Sequence, residues 1–199
     1  MFAAEAANNG PHRRSRPAAD VTPEVFSGVT VINRMDAVVG RNDADLSPTS
    51  IVMHYTAGHS GDASIGVLAS RGLSYHFVIE RNGAIKQLVR SNIRAIHDPA
   101  TNVNTIGIAF ANLGFQEEYA GRHESPPIAD WISGPRRDGA DGKWEPYPLA
   151  QIAAGQKLVA ALKIKYPAIA DVVGHSDTSS SKDDPGPAFP ISVFNNAVA

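Results

Sequence analysis

The sequence contains no cysteine, and this absence removes two kinds of structure at once. No disulfide can crosslink the chain, and no thiolate can bind a metal ion. A transition-metal site would therefore have to be built from histidine, aspartate and glutamate side chains. Because proteins without cysteine occur both in the cytosol and outside the cell, the absence does not fix the compartment.

The chain also lacks a long apolar run and an excess of basic residues. No hydrophobic stretch approaches the ~20 residues that a membrane helix needs, so we expect no membrane insertion. The 18 lysines and arginines are outnumbered by 20 aspartates and glutamates, which gives a net charge of -2. This balance provides no basic face for a phosphate backbone, so we do not expect nucleic acid as a partner.

The first residues show no hydrophobic period. They are rich in Ala, Asn, Pro and Arg, and we expect residues 1–24 to form a disordered or extended arm. The opening residues 1–6 contain an acid and neither a basic nor a long apolar segment, so they do not resemble a signal peptide. The remaining residues 25–199 have the length of one compact domain.

Hydrophobic periodicity predicts strands that alternate with helices. A hairpin is expected around the turn Asn82-Gly83, and a short helix capped by Asp62 is expected to stop at Gly72. Apolar residues at helical spacing predict a longer helix over residues 149–163. The expected strands cover residues 26–33, 51–55, 74–80, 85–89 and 106–112. This pattern predicts an α/β domain with a mixed central β-sheet flanked by helices.

Residues 113–148 form the longest segment without a periodic pattern. Gly, Pro and charged residues dominate it, so we expect a long loop, and such loops are usually functional or mobile. Trp131 and Trp144 lie within it. We assign neither a role, because an aromatic residue in a loop more often covers the edge of a core.

The end of the chain indicates a metal site. An apolar run over residues 169–173 leads to His175, and a short polar loop then brings Lys182 and two carboxylates back toward the same point. Imidazole and carboxylate both bind zinc, and a catalytic zinc takes three protein ligands and keeps one position for water. The loop supplies two ligands. The best candidate for the third is His54, in a β-branched, strand-like run.

Several separated motifs occur together in this chain. They are Ile51-Val52-Met53-His54-Tyr55-Thr56, Tyr75-His76-Phe77-Val78-Ile79, Asn82-Gly83, Ala95-Ile96-His97, Ile106-Gly107-Ile108, and Val173-Gly174-His175-Ser176-Asp177 followed by Lys182-Asp183-Asp184-Pro185-Gly186-Pro187. In order and spacing they resemble the zinc-dependent N-acetylmuramoyl-L-alanine amidases of the amidase-2 group, which includes phage lysozyme-like amidases and peptidoglycan recognition proteins. The resemblance covers about residues 50–189.

This resemblance implies a hydrolase that cleaves the amide bond between N-acetylmuramic acid and the L-alanine of the peptidoglycan stem peptide. By motif match, the zinc ligands are His54, His175 and Asp184. The loop after His175 is one residue shorter than the family pattern and ends in two acids, so Asp183 is the alternative third ligand. Lys182 matches the lysine that stabilises the developing oxyanion.

The same resemblance implies that Tyr75 orients the attacking water. Many bacterial members carry a glutamate directly after the Ile-Gly-Ile strand motif, but here that position is Ala109. Phage-type members lack the glutamate and use the tyrosine of the hairpin strand, which matches Tyr75. His76 points to the opposite face of the strand, so we expect it to be a structural histidine, with a role behind a metal ligand as the alternative.

Substrate contacts are implied at three positions. His97 matches the histidine of the family's Ala-Trp-His loop, although Ile96 replaces the tryptophan, and the alternative is a plain surface histidine. Asn104 and Thr105 are expected close to the cleft by the same match.

The implied partners are peptidoglycan and its muropeptides, and we expect a monomer. A small amidase of this kind fits a phage endolysin or an antibacterial effector that acts on the bacterial wall, while the delivery route stays open. A recycling enzyme of the cytosol is the less favoured setting, because it would usually carry the glutamate that Ala109 replaces here. One alternative is a non-catalytic peptidoglycan-binding module, although the complete ligand set favours the enzyme. A second is a zinc hydrolase of another amide.

Overall fold

A computed structural model describes residues 22–37 and 41–199. The expected arm, residues 1–24, lies almost entirely outside these ranges, but its last residues are folded. Glu24 is buried, and its carboxylate accepts hydrogen bonds from the backbone nitrogen and the hydroxyl of Ser91 at 2.5 and 2.8 Å. The packed domain therefore begins before residue 25.

The described ranges contain ten strands and four α-helices. The strands are β1 (Val31–Asn33), β2 (Arg41–Asp45), β3 (Ser50–Tyr55), β4 (Phe77–Ile79), β5 (Ile85–Gln87), β6 (Ile93–Ala95), β7 (Thr105–Phe110), β8 (Ile132–Pro135), β9 (Asp141–Trp144) and β10 (Asp171–Gly174). The helices are α1 (Gly61–Ser70), α2 (Leu149–Lys165), α3 (His175–Thr178) and α4 (Ile191–Asn195), with single 3-10 turns at Met35–Ala37, Glu117–Tyr119 and Ile128–Asp130.

A six-stranded mixed sheet forms the centre of the domain, in the order β1-β5-β4-β7-β3-β10. Only β4 and β5 pair antiparallel, and the other neighbours are parallel. The other four strands form two smaller sheets, β2-β6 and β8-β9. The expected fold class, a single α/β domain with a mixed sheet and flanking helices, is confirmed.

The two faces of the sheet are buried against different layers. Along β4 and β7, Phe77 and Ile108 contribute to a large core that includes residues of α2 and α4, whereas Val78 and Ala109 face a smaller cluster with residues of α1 and β6. Adjacent side chains in a strand point to opposite faces. Because both faces of this sheet are buried, consecutive residues of β4 and β7 are apolar, and the strands appear in the sequence as continuous hydrophobic runs.

The sequence motifs predicted the Asn82-Gly83 turn and the end of helix α1 correctly, but they predicted the wrong residue as the cap of that helix. The Asn82-Gly83 turn is present, with Gly83 at φ 87°, and helix α1 ends before Gly72 at φ 65°. The predicted cap of α1 is wrong, because the Ser60 hydroxyl accepts the hydrogen bond from the Ala63 nitrogen. Asp62 instead pairs with cationic side chains.

The segment expected to be a long loop contains the β8-β9 hairpin. Its strands are short and rich in Gly and Pro, so they carry no period-two pattern, and tertiary contacts stabilise them. The Trp144 ring is buried against Gly186, and its indole nitrogen donates to the Gly134 carbonyl at 3.1 Å. Trp131 is also buried. Within the described ranges, no helix combines the length and apolarity needed to cross a membrane.

Candidate active site

The parallel pairing of β3 and β10 brings two distant histidines together. In this register Met53 lies opposite Gly174, so His54 at the next position of β3 meets His175, the first residue of α3. The Ser176 nitrogen then donates to the Asp184 carbonyl at 2.9 Å, which folds the following loop back onto the histidines. Asp184 thereby reaches the same point.

His54, His175 and Asp184 form a compact, buried group of potential ligands. The Nδ1 atoms of the two histidines are 3.1 Å apart. The Oδ2 atom of Asp184 lies 2.9 Å from Nδ1 of His54 and 3.1 Å from Nδ1 of His175. Ligand atoms around a tetrahedral zinc are separated by about 3.3 Å at the usual bond lengths. Two ring nitrogens that face one carboxylate and each other form a donor set suited to a divalent cation, so the residues fit zinc.

The electrostatics of the group favour cation binding. Burial lowers the pKa of His54, despite the opposing effect of Asp184. Burial alone would raise the pKa of Asp184, but the hydrogen bonds with His175 and His54 outweigh it and hold the pKa well below its ordinary value. A neutral imidazole beside an ionised carboxylate is the protonation state that binds metal.

Asp184, and not Asp183, contacts the two histidines. The Asp183 carboxylate turns away from them and accepts a hydrogen bond from the backbone nitrogen of Arg137 at 2.6 Å. The Arg137 guanidinium also donates to the Ser176 carbonyl at 2.8 Å, so the tip of the β8-β9 hairpin holds this loop.

Tyr75 and His76 take different positions, as their alternation along the chain predicts. The Tyr75 ring lies 4.8 Å from the His54 ring and lines the cleft above it, and burial raises the pKa of its phenol. His76 is fully buried, with Nε2 2.9 Å from the Ile93 carbonyl oxygen and Nδ1 accepting from the Gly107 nitrogen at 2.9 Å. The backbone therefore uses both nitrogens of His76.

The three expected substrate contacts lie in different environments. His97 lines the cleft, and its Nδ1 is 3.2 Å from Nε2 of His54. Thr105 is buried next to His97, and the exposed Asn104 donates to the Thr49 hydroxyl at 3.1 Å. Neither Asn104 nor Thr105 lines the cleft. Their contact with substrate stays a prediction.

The candidate metal group opens into a cleft of about 590 Å³. Lys182 is exposed at its edge. The walls also include Tyr55, Arg71 and Phe115, which sequence reasoning missed. Arg71 directly follows a helix, and Phe115 lies in a segment without a periodic pattern, so neither carried a sequence signal.

Comparisons with known proteins identify the family. The sequence profile of the family described as N-acetylmuramoyl-L-alanine amidase matches residues 44–187. A comparison with curated proteins found no significant match.

Similar solved structures include the N-acetylmuramoyl-L-alanine amidase LysC from Clostridium intestinale URNW, at 22% identity and a TM-score of 0.58, covering 88% of this chain and 97% of LysC. The amidase AmiD from E. coli is 27% identical with a TM-score of 0.58, covering 76% of this chain and 57% of AmiD. AmpDH3 from Pseudomonas aeruginosa is 25% identical with a TM-score of 0.59, covering 77% and 61%. The chain therefore belongs to the N-acetylmuramoyl-L-alanine amidase family and is a hydrolase that cleaves an amide bond of peptidoglycan.

Proposed function

We propose that this protein is a zinc-dependent amidase that separates N-acetylmuramic acid from the L-alanine of the stem peptide. The observation that carries the proposal is the meeting of His54, His175 and Asp184 at one buried point beneath an open cleft. Three protein ligands that leave one position open are typical of catalytic zinc. A recognition module without activity would not need this complete set.

When bound at this site, zinc supplies Lewis-acid activation of the attacking water and of the scissile carbonyl. The Tyr75 hydroxyl orients the water through a hydrogen bond, from the cleft wall beside His54. The Lys182 ammonium stabilises negative charge that develops on the carbonyl oxygen. Hydrolysis places the hydroxyl of water on the acyl carbon of the muramic acid and a proton on the leaving amine of L-alanine.

Peptidoglycan and its muropeptides are the proposed substrates, with the protein acting on the bacterial wall. Two similar proteins support this class of ligand. AmiD was solved with anhydro-N-acetylmuramic acid-L-Ala-D-gamma-Glu-L-Lys, and AmpDH3 was solved with anhydromuramic pentapeptide. Another similar structure, LysCS from Clostridium intestinale URNW, is named an endolysin, which supports a lytic role.

Mass spectrometry of digested peptidoglycan tests the proposal. The zinc-loaded protein is expected to release peptides that begin with a free L-alanine amine and to leave glycan strands with intact muramic acid. If a control amidase released such peptides and this protein bound the wall without releasing them, the protein would be a recognition module. Cleavage at another amide of the same muropeptides would assign it a different specificity.

A further inference from the structure

One loop lies behind both candidate zinc-binding histidines. We propose that its consecutive residues His97 and Asp98 are positioning residues, each providing a hydrogen-bond acceptor for the ring nitrogen that faces away from the metal. His97 serves His54, and Asp98 serves His175. The inference rests on the proposed zinc site and gives His97 a role other than the substrate contact expected from the motif match.

The contact between His54 and His97 sets the direction of a chain of hydrogen bonds. A neutral imidazole has one donor and one acceptor nitrogen. With Nδ1 of His54 used as a ligand, its Nε2 carries the hydrogen and donates to Nδ1 of His97, 3.2 Å away. The hydrogen of His97 then sits on Nε2, which lies 3.4 Å from the Thr105 hydroxyl oxygen. That hydroxyl donates to the Thr101 carbonyl at 2.9 Å, so each hydrogen has an acceptor.

His175 has a matching arrangement on its other side. Its Nδ1 faces His54 and Asp184, while its Nε2 is buried and has no hydrogen-bond partner within the described part of the chain. The Asp98 carboxylate, itself 1% exposed, lies 3.8 Å from this Nε2. Metal binding at Nδ1 fixes the hydrogen on Nε2, and a small rotation of the ring then lets it donate to Asp98.

The loop is itself held in place by contacts that do not involve the metal. The side-chain oxygen of Asn102 accepts from the backbone nitrogens of both His97 and Asp98, at 3.0 and 2.8 Å. Gly107 provides the space for the His97 ring, because a Cβ at that position would lie 2.5 Å from the ring. The loop therefore presents both acceptors in a preformed geometry.

A pair of substitutions at His97 separates positioning from substrate binding. His97→Phe keeps a ring but removes the acceptor, whereas His97→Asn places an amide oxygen near the former Nδ1. We expect His97→Phe to weaken zinc binding by about 10- to 100-fold, as other outer partners of metal ligands do, and His97→Asn to recover most of it. Competition with a chromogenic chelator measures the affinity.

Steady-state kinetics of the zinc-saturated His97 variants provides the second readout. The KM for a muropeptide is expected to stay close to the wild-type value in both variants. A wild-type zinc affinity for His97→Phe together with a raised KM would overturn the positioning role and restore the substrate contact.

Asp98 is tested by Asp98→Asn, with Asp171→Asn as the matched control. Asp171 is an exposed acid at the start of β10, so its loss changes the charge without touching the site. Zinc affinity is expected to fall about 10- to 100-fold for Asp98→Asn only. Equal affinities of the two variants would overturn the role of Asp98.

Because Asp98 also accepts from the Thr101 hydroxyl at 2.6 Å, its substitution could disturb folding. Nitrogen-15 NMR of the zinc-loaded wild-type protein tests the same contact without a substitution. A slowly exchanging hydrogen on His175 Nε2 is expected, and a spectrum that places no hydrogen there would contradict the proposal. If the wild type bound no zinc at all, the proposed function would fail first, so the two failures are distinguishable.

Discussion

The Nδ1 atoms of His54 and His175 lie 3.1 Å apart, although 121 positions of sequence separate the two residues. Parallel pairing of β3 with β10 produces this contact, because the register that aligns Met53 with Gly174 places the following residues side by side. Asp184 closes the group through a loop of only a few residues. The sheet therefore sets the positions of the two histidines, and the loop after His175 adds the carboxylate.

Separate alanine substitutions of Asp183 and Asp184 test which of the two acids binds the metal. Asp184→Ala is expected to lower the bound zinc from one per chain to almost none, because two histidines remain where three ligands are needed. Asp183→Ala is expected to keep the zinc, since its carboxylate contacts Arg137 instead. Elemental analysis after dialysis measures both. The reverse result would make Asp183 the ligand.

Tyr75→Phe is expected to reduce kcat by about 10²- to 10⁴-fold, the range of a positioned proton-transfer group, without changing zinc affinity. The substitution removes only the hydroxyl and keeps the ring that packs 4.8 Å from the His54 ring. Kinetics on a defined muropeptide and a zinc competition assay provide the two readouts. A wild-type kcat would remove Tyr75 from the mechanism.

Lys182→Met is expected to reduce kcat by about 10²- to 10³-fold, which is the usual effect of removing one stabiliser of an oxyanion. Zinc affinity should be unchanged, because Lys182 lies at the edge of the cleft and not among the ligands. Lys157→Met, at an exposed position of α2, is the control for lost charge. Equal activity of the two variants would show that Lys182 has no role in the reaction.

Alanine substitutions at two helical glycines are expected to have opposite effects on stability. A Cβ at Gly155 in α2 would lie 2.9 Å from Phe110 and 3.0 Å from Phe194, so Gly155→Ala is expected to lower the free energy of unfolding by ~1–3 kcal/mol. Gly66 in α1 has open space at this position, so Gly66→Ala is expected to raise it by ~0.5–1 kcal/mol. Urea unfolding compares them. Similar shifts in both variants would contradict this packing.

The sequence predicted the parts of the site that lie on regular elements. His54 lies in a strand with a clear hydrophobic pattern, and His175 directly follows one, so their meeting followed from the motif order. Periodicity also gave the sheet class and the long helix α2, which runs to Lys165.

Other features depended on contacts that no local pattern reports. The β8-β9 hairpin is stabilised by Trp144 against Gly186, far along the chain. Glu24 was assigned to the arm because residues 1–24 show no hydrophobic periodicity, yet Ser91 and Lys165 hold it in the domain. The contact of His97 with His54 joins the loop after β6 to β3, and no local sequence pattern predicts it.

Titration of the metal-free protein with zinc, with release of L-alanine peptides measured at each step, tests the central claim most directly. If His54, His175 and Asp184 hold the catalytic metal, activity should rise linearly and reach a plateau at one zinc per chain, and His175→Ala should show neither binding nor activity. Full activity of the metal-free protein, or none at one bound zinc, would contradict the account.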